Sequence, residues 1–573
     1  MASPLSPFRR ALAQGAAAAL GLPPADLAAL ETQLRVPEAG RGDLALPCFD
    51  LARRAKISPP EAAKKIAEAL ALAGDPQWEK VEATGPYVNV VLAMGALTQA
   101  VVAAVRAEGY GRDQDGAGKS VVIDFSSPNI AKPLAFHHVR STVIGAAIGR
   151  LHAARGWKVV GINYLGDWGK QFGLLATAFK RFGDPALRGN AKHLVEVYVR
   201  ANREADVEGL RAHIRAPEEA RQLAKDLAAA REELAKEADP KAKKKLEGKV
   251  KGLEKKSPAG DFAAHVAALE EKAKTAQGEL PAAEARDREA RLYLKRMEEG
   301  DPEALAEWRE FRETSIADFV RIYARMGIAF FAIEGESQYT GVLEKTVERV
   351  AAKPGVKVSD GALIVDMKYE PGEPPVLLKT KDGTTLYMTR DIAAAIDRYE
   401  RFSFARSLYV IAQDQALHVA QLKKTLAAMG FAWADAMTHI AFGRVHGMST
   451  RRGNVVFLDE VLDEAVHKAR EICAKSDALD ASRLDETVEA IGVGSIVFGD
   501  LKNLRASDYT FKLEDVINFD GLTGPYVQYT HARLASIARK AGGVPATADL
   551  SLLALDEERT VMLALARFPE AIA

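Results

Sequence analysis

Between Val121 and Gly173 the apolar positions change period several times, and each change marks an element. Val121-Val122-Ile123-Asp124-Phe125 is a short β-branched run, the pattern of a strand covered on both faces. Ser126-Ser127-Pro128-Asn129 breaks it, Val139 to Ala153 carries apolar residues at helical spacing, and Trp157 to Ile162 opens a second strand. A strand–helix–strand unit of this size is parallel and right-handed. Its connecting loop, Asn129 to Thr142, opens onto the positive end of the helix, an anion site on physical grounds. Leu408-Tyr409-Val410-Ile411-Ala412 reads as a further buried strand, with Gln413-Asp414-Gln415-Ala416-Leu417-His418 at its carboxyl end. That is where an open α/β sheet receives its ligand.

The flanks read differently. Residues 1–115 suggest a small α+β module with helices from Ser6 to Leu20 and Ser58 to Leu72 and a strand at Tyr87 to Leu92. Residues 206–256 are charged, alanine-rich and nearly free of aromatics, with Lys241-Ala242-Lys243-Lys244-Lys245 at their centre. They predict a solvated helical hairpin turned near Asp239-Pro240, whose lysines could meet RNA but whose mixed charge reads first as a solvated face. A helix ends near Gly327, and Lys381 to Thr385 is a hairpin turn. In Tyr387 to Ala395, Tyr387 and Asp391 lie four apart and share one helical face. After Leu458, helices are expected over Asp480 to Phe498 and from Phe511 onward.

With 573 residues the chain is too long for one core, so three or four domains are expected. Its 78 basic and 78 acidic residues cancel, which excludes a uniformly basic nucleic-acid binder and leaves local basic faces open. No apolar run is long enough to span a bilayer. Cys48 and Cys473 are too few and too far apart for a zinc site or a disulfide framework, which fits a reducing cytoplasm. Arg9-Arg10 before an alanine-rich stretch makes a poor signal core.

Three stretches then carry a resemblance. Phe125-Ser126-Ser127-Pro128-Asn129-Ile130-Ala131-Lys132-Pro133, His138-Val139-Arg140-Ser141-Thr142 and Gly166-Asp167-Trp168-Gly169-Lys170-Gln171-Phe172-Gly173 occur in order and at the spacing of arginyl-tRNA synthetases, which are class I enzymes. Gly335-Glu336-Ser337-Gln338-Tyr339 and Tyr387 to Ala395 resemble the same family. The implied fold is α/β: a Rossmann-type parallel-sheet catalytic core at 116–515, with a charged helical insertion at about 200–285, an N-terminal α+β domain at 1–115 and an all-helical domain begun at 516–573. Most of that last domain's helices are missing after Phe568-Pro569-Glu570, so a fragment or a shortened enzyme is expected. The implied activity joins L-arginine to tRNA(Arg) at the expense of ATP, with Mg²⁺ on the phosphates, no metal held by protein side chains and no membrane, in a cytoplasmic monomer.

An arginine substrate calls for a fixed carboxylate and neutral acceptors, because its guanidinium is always charged and planar. Asp391 suits the carboxylate and Tyr387 a neighbour of the guanidinium; the resemblance adds Asp124, Asn129 and Gln415. It also implies Ser127, His137, His138, Gly166, Asp167 and His418 on ATP. For tRNA it implies Tyr87 and Asn89 at the elbow, and Tyr526, Gln528, Tyr529 and Arg533 in the helical domain. Gly443 to Asn454 looks like the second class I signature, with Met448, Ser449 and Arg451 in it and Thr450 where the second lysine would stand. Lys132 replaces that charge in the family, and cations there stabilise the charge that develops on the phosphates. The first signature departs from His-x-Gly-His, reading Ala135-Phe136-His137-His138. A side chain at His137 replaces the glycine that allows close approach of the adenine. A synthetase for another amino acid, a related nucleotidyltransferase and a non-catalytic RNA-binding paralogue are the alternatives.

Overall fold

The computed structural model describes every residue except 1–2, 24–26, 39, 131, 133, 258–260, 354, 366–374, 380–386, 448–455 and 475–480, and the backbone alone of Tyr387 and Ala481. The expected hairpin turn at Lys381 to Thr385 lies outside the described residues.

At the centre is a five-stranded sheet of β1 (Ser120–Asp124), β2 (Lys158–Leu165), β3 (Ala332–Gly335), β4 (Arg406–Tyr409) and β5 (Met437–His439). The spatial order is β3-β2-β1-β4-β5, and every neighbouring pair is parallel. The chain starts in the middle, winds outward to β3 and restarts at β4 on the other side of β1. That reversal opens a crevice at the carboxyl ends of β1 and β4, the place where such sheets bind ligands. Val121, Val122 and Ile123 are all fully buried. Val121 and Ile123 join the main core with Phe125 and Val143, whereas Val122 packs with Val160, Ile162 and Phe404 in another cluster. Both faces of β1 are covered, so its sequence is apolar without alternation.

Around the sheet run α1 (His138–Ala154), α2 (Lys170–Phe182), α3 (Pro302–Arg325), α4 (Tyr387–Phe402), α5 (Ala416–Ala428), α6 (Leu458–Cys473) and α7 (Leu484–Leu501). Gly145 brings α1 against Phe125, whose ring carbon would lie 2.2 Å from a Cβ at that position. The charged insertion turns where its sequence indicated: Asp239 caps the helix Pro240–Glu254, and Lys249 and Arg231 pair with Glu233 and Glu254 across the hairpin. A third helix, Phe262–Glu298, runs back along the first one, Val207–Lys236, through Arg211–Glu284 and Arg221–Glu270. Its Ala290 backbone lies against Gly173 of α2, where a Cβ would meet the Ala290 carbonyl at 2.1 Å, so the insertion is seated on the core.

The N-terminal module has its own core and a three-stranded antiparallel sheet in which Tyr87–Leu92 lies between Leu44–Pro47 and Trp78–Thr84. Ser58 accepts from Glu61 N at the start of the helix Pro59–Ala73, an ordinary N-cap. The chain's last helices, α8 (Gly524–Lys540) and α9 (Asp556–Ile572), part company. Gln528 of α8 bonds Ala490 of α7, but α9 crosses to the N-terminal module, where Ala566 is fully buried in that module's core. The 516–573 segment is therefore shared between two bodies and does not stand as one helical unit. Arg559 Nη1 donates to Asp43 Oδ2 at 2.8 Å and to Leu92 O at 3.0 Å, and Arg9 meets Glu570 at 2.8 Å.

Arg559→Ala should release α9, because Asp43 is 5% exposed and would be left without its cation. A loss of about 3 kcal/mol is expected from an orphaned buried charge. Denaturant unfolding with hydrogen exchange in α9 measures it; unchanged protection of α9 would refute the clasp.

Candidate active site

The floor of the crevice is a buried ion pair. Asp124 ends β1, and its carboxylate receives Arg398 Nη1 at 2.8 Å and Ser127 Oγ at 2.7 Å. Arg398 comes from α4 and is 1% exposed, with the rings of Tyr164 and Tyr409 at 4.9 and 5.9 Å. Both carboxylate oxygens of Asp124 thus already accept from the protein, and each keeps further acceptor capacity toward the crevice. Beyond it, Ser126 and Ser127 have φ of 71° and 46°, a left-handed backbone unusual for residues with a Cβ. Ser141 Oγ receives Ser126 N at 2.9 Å and Asn163 Oδ1 receives Ser127 N at 3.0 Å, which holds the turn in that shape. Asn129 then pairs with Gly166 as a parallel bridge, and a Cβ on Gly166 would sit 2.1 Å from Asn129 Oδ1. Asn129 and Gly166 are brought together, and close packing explains the glycine.

The first signature touches the segment that follows the second. Ala135 bridges Phe457, Phe136 N donates to Val456 O at 2.9 Å and Leu458 N to Leu134 O at 2.8 Å. His138 Nδ1 lies 3.1 Å from both the nitrogen and the oxygen of Ala135. Burial, helped by His137 and Lys132, pushes His138 down to about 3, so it is a neutral imidazole at physiological pH. His137 is exposed at its edge, its ring centroid 4.1 Å from that of His138, and partial desolvation with the Lys132 charge lowers its pKa also. Lys132 is exposed at the loop's edge with its ammonium 6.0 Å from the Tyr198 ring. Met448, Ser449, Thr450 and Arg451 lie outside the described residues.

Arg140, which sequence reasoning left without a role, ties this region together. It is 1% exposed, and its guanidinium donates to the carbonyls of Gly443, Ser507, Leu504 and Arg505 at 2.8 to 3.1 Å. The helix that follows the first signature thereby grips the residue that opens the second.

On the far side of the crevice lies an acidic cup. Asp391 in α4 has its Oδ2 2.6 Å from His418 Nε2 in α5. Tyr164 of β2 and Glu336 of the 3₁₀ segment Glu336–Val342 each bury a side-chain oxygen that has no partner. Burial pushes Glu336 up to about 7, with Arg390 at 3.8 Å pulling it down and the charges of Asp391 and Asp167 raising it. Burial and the Asp391 charge likewise keep Tyr164 protonated. Two carboxylates and a phenol with unused hydrogen-bonding capacity make a receptacle for a planar cation with several donors. Glu336 and Tyr164 were not singled out from sequence; Glu336 stood in a matched stretch without a role, and nothing in the spacing of β2 marks Tyr164.

One expected ATP contact, Asp167, is overturned. Asp167 is 0% exposed, and its oxygens accept from Arg312 Nε at 2.6 Å, Ser337 N at 2.8 Å and Ser337 Oγ at 2.7 Å. It anchors the segment that carries Glu336. His418, also expected at ATP, turns its Nε2 to Asp391 and stays about one-third exposed. Gln415 is exposed and caps α5 by position.

A family model described as "tRNA synthetases class I (R), catalytic domain" matches residues 100–247 and 249–513. The chain belongs to the arginyl-tRNA synthetase family. The model "Arginyl tRNA synthetase N terminal domain" matches residues 8–92. The chain is 36% identical over 562 residues to the arginine–tRNA ligase of Streptococcus equi subsp. equi, covering 96% of this chain and 85% of that one. Arginine–tRNA ligase 1 of Bacillus cereus is 36% identical over 539 residues, covering 93% and 82%. In fold it resembles the Thermus thermophilus arginyl-tRNA synthetase, with TM-score 0.66 at 23% identity over 99% of this chain and 87% of that one. The Plasmodium falciparum arginyl-tRNA synthetase gives TM-score 0.66 at 17% identity, over 100% and 87%.

Within this synthetase-family frame, the residues expected on tRNA divide. Tyr87, Tyr526, Tyr529 and Arg533 are exposed. Asn89 is 8% exposed in the central strand of its sheet and is corrected to a structural position, whereas Gln528 is half-buried and donates its amide to Ala490 O.

Arg140→Lys cannot satisfy four carbonyls with one ammonium, so a stability loss of about 2 kcal/mol is expected from the acceptors left unpaired. If the grip also sets the second signature, kcat for ATP–pyrophosphate exchange should fall with the arginine KM little changed. A loss of stability with kcat intact would limit Arg140 to a structural part.

Proposed function

We propose that the chain makes arginyl-adenylate from L-arginine and ATP and passes the arginyl group to tRNA(Arg). An oxygen of the arginine carboxylate attacks the α-phosphorus, and the bond to pyrophosphate breaks. The terminal ribose hydroxyl of the tRNA then attacks the arginyl carbonyl, loses its proton, and AMP departs. ATP enters as its magnesium complex, a substrate whose metal travels on the phosphates.

The acidic cup carries this reading. Asp391 would meet the guanidinium, with Glu336 and Tyr164 supplying the further oxygens, Tyr387 beside it, and Asn129 and Gln415 toward the backbone end of the amino acid. Ser127, His137 and His138 would border the ATP at the crevice, and the neutral His138 imidazole suits a hydrogen-bond role toward phosphate. Lys132, with Met448, Ser449 and Arg451 of the second signature, would supply the charge and donors that stabilise the departing pyrophosphate. Exposed Tyr87, Tyr526, Tyr529 and Arg533 offer aromatic and cationic contacts to tRNA. The reading places a monomer in the cytoplasm, in keeping with two free thiols, Cys48 and Cys473. Among the described residues no helix is long and apolar enough to cross a membrane.

Asp391→Asn keeps the shape and removes the charge, and should weaken arginine by about 3 kcal/mol. Arginine-dependent ATP–pyrophosphate exchange measures it, and normal charging would refute the pocket. His137→Gly should weaken ATP by about 1 kcal/mol, the lower end of base stacking on an aromatic ring. Titrating ATP into both proteins tests this, and tighter binding would show that the imidazole obstructs the base.

A further inference from the structure

The carboxylate proposed to receive the substrate's guanidinium already has a basic group of the chain beside it. His418 Nε2 stands 2.6 Å from Asp391 Oδ2, with the two side chains 34% and 25% exposed. The pair is therefore shielded on one side and open to solvent on the other. Other charged and titratable groups border it: Arg390 next to Asp391 on α4, Glu336 facing Arg390 at 3.8 Å, Tyr164 from β2 and Tyr409 from β4. Asp414, ahead of α5, is held by Arg444 at 2.8 Å. Burial keeps both tyrosines protonated, so Glu336 is the neighbour that titrates near neutrality.

Resting on the arginine site above, we propose that His418 is a positioning residue that surrenders its charge when the substrate brings its own. In the free enzyme the imidazolium donates from Nε2 to Asp391. As the guanidinium arrives, the Nδ1 proton leaves to solvent, and the neutral imidazole keeps its Nε2–H bond to Oδ2. One positive charge enters, one leaves, and the carboxylate never loses the bond that aims it.

The physical reason is competition for a single anion. Hydrogen bonding to Asp391, opposed by burial, raises the basicity of His418 in the free enzyme. A guanidinium neutralises that anion and repels a second cation next to it, so it takes away the cause of the rise. The sign follows. His418 holds its proton more strongly in the free state than in the bound state, so between those two pKa values arginine binds more tightly as pH rises. The gain is about tenfold per pH unit for each proton released, and it levels off above the free-state value. Glu336, pushed up to about 7, is driven by the same guanidinium to lose its proton and adds a separate share.

The test is calorimetric titration of L-arginine into the full chain near neutral pH, in two buffers of different ionisation heat, which counts the protons released. Wild type should release protons, His418→Gln fewer, Glu336→Gln fewer, and the double variant none. Glutamine still donates to Oδ2, so in alkaline buffer His418→Gln should bind arginine close to wild type, whereas His418→Ala should bind it more weakly at every pH. Equal proton release by wild type and His418→Gln would overturn the charge exchange. Equal arginine affinity of the glutamine and alanine variants in alkaline buffer would overturn the positioning role. If instead Asp391→Asn binds arginine normally, the site itself is misassigned, an outcome distinct from both.

Discussion

An arginine with almost no exposed surface sets the electrostatics of the whole site. Arg398 reaches from α4 to Asp124 at the end of β1, lies between the rings of Tyr164 and Tyr409, and has Glu334 of β3 3.9 Å from its Nε. Arg401 on the same helix pairs with Glu334 at 2.6 Å and with Asp397 at 2.8 Å. A buried cation without partners would be prohibitive, and its cost is offset by two carboxylates, Asp124 at the end of β1 and Glu334 in β3. Two acids that these arginines leave over are Asp391, which pairs with His418, and Glu336, whose arginine stands 3.8 Å away. The acidity of the cup thus follows from how the neighbouring charges are already matched.

The second organising tie is Arg140. A sheet of this topology leaves its ligand crevice between loops that belong to distant parts of the chain. Here the first signature helix and the loop that opens the second signature are joined by one guanidinium, and the bridge of Ala135 to Phe457 ties in the segment that follows the second. Arginine suits this because five donors fixed in a plane can serve several carbonyls at once. The substitution of Ala135 and His137 in the first signature leaves this framework standing, since its contacts there are made by backbone atoms of residues 134–136.

The sheet was legible from the sequence because its strands are covered on both faces and its loops carry turn residues. Val121 to Asp124, Lys158 to Ile162 and Leu408 to Tyr409 all fall inside predicted strands. Trp78–Thr84 was not read as a strand, because its exposed edge carries Glu79, Lys80 and Glu82 and loses the apolar pattern. For the site, the motif residues marked the right loops but not the direction of each side chain. Asp124, Asp167 and Asn89 sit in matched stretches yet face inward, and a local sequence does not say whether a carboxylate meets a ligand or a buried arginine. The pairing of Asp391 with His418 spans 27 residues and two helices, a distance over which periodicity carries no information. Arg559 and Asp43 are farther apart still, and neither lies in a pattern that points to the other.

That last contact changes what kind of object the chain is. Ser3 and Arg9 touch Ala566 and Glu570, so the first helix of the N-terminal module is fastened to α9 and the path of the backbone between them closes into a hoop. An open chain of modules lets each one swing about its linker, whereas a hoop permits motion only when all parts move in concert. Loosening Arg559 would therefore be felt at Asp43 and Leu92 in the N-terminal module, 516 and 467 positions earlier along the chain.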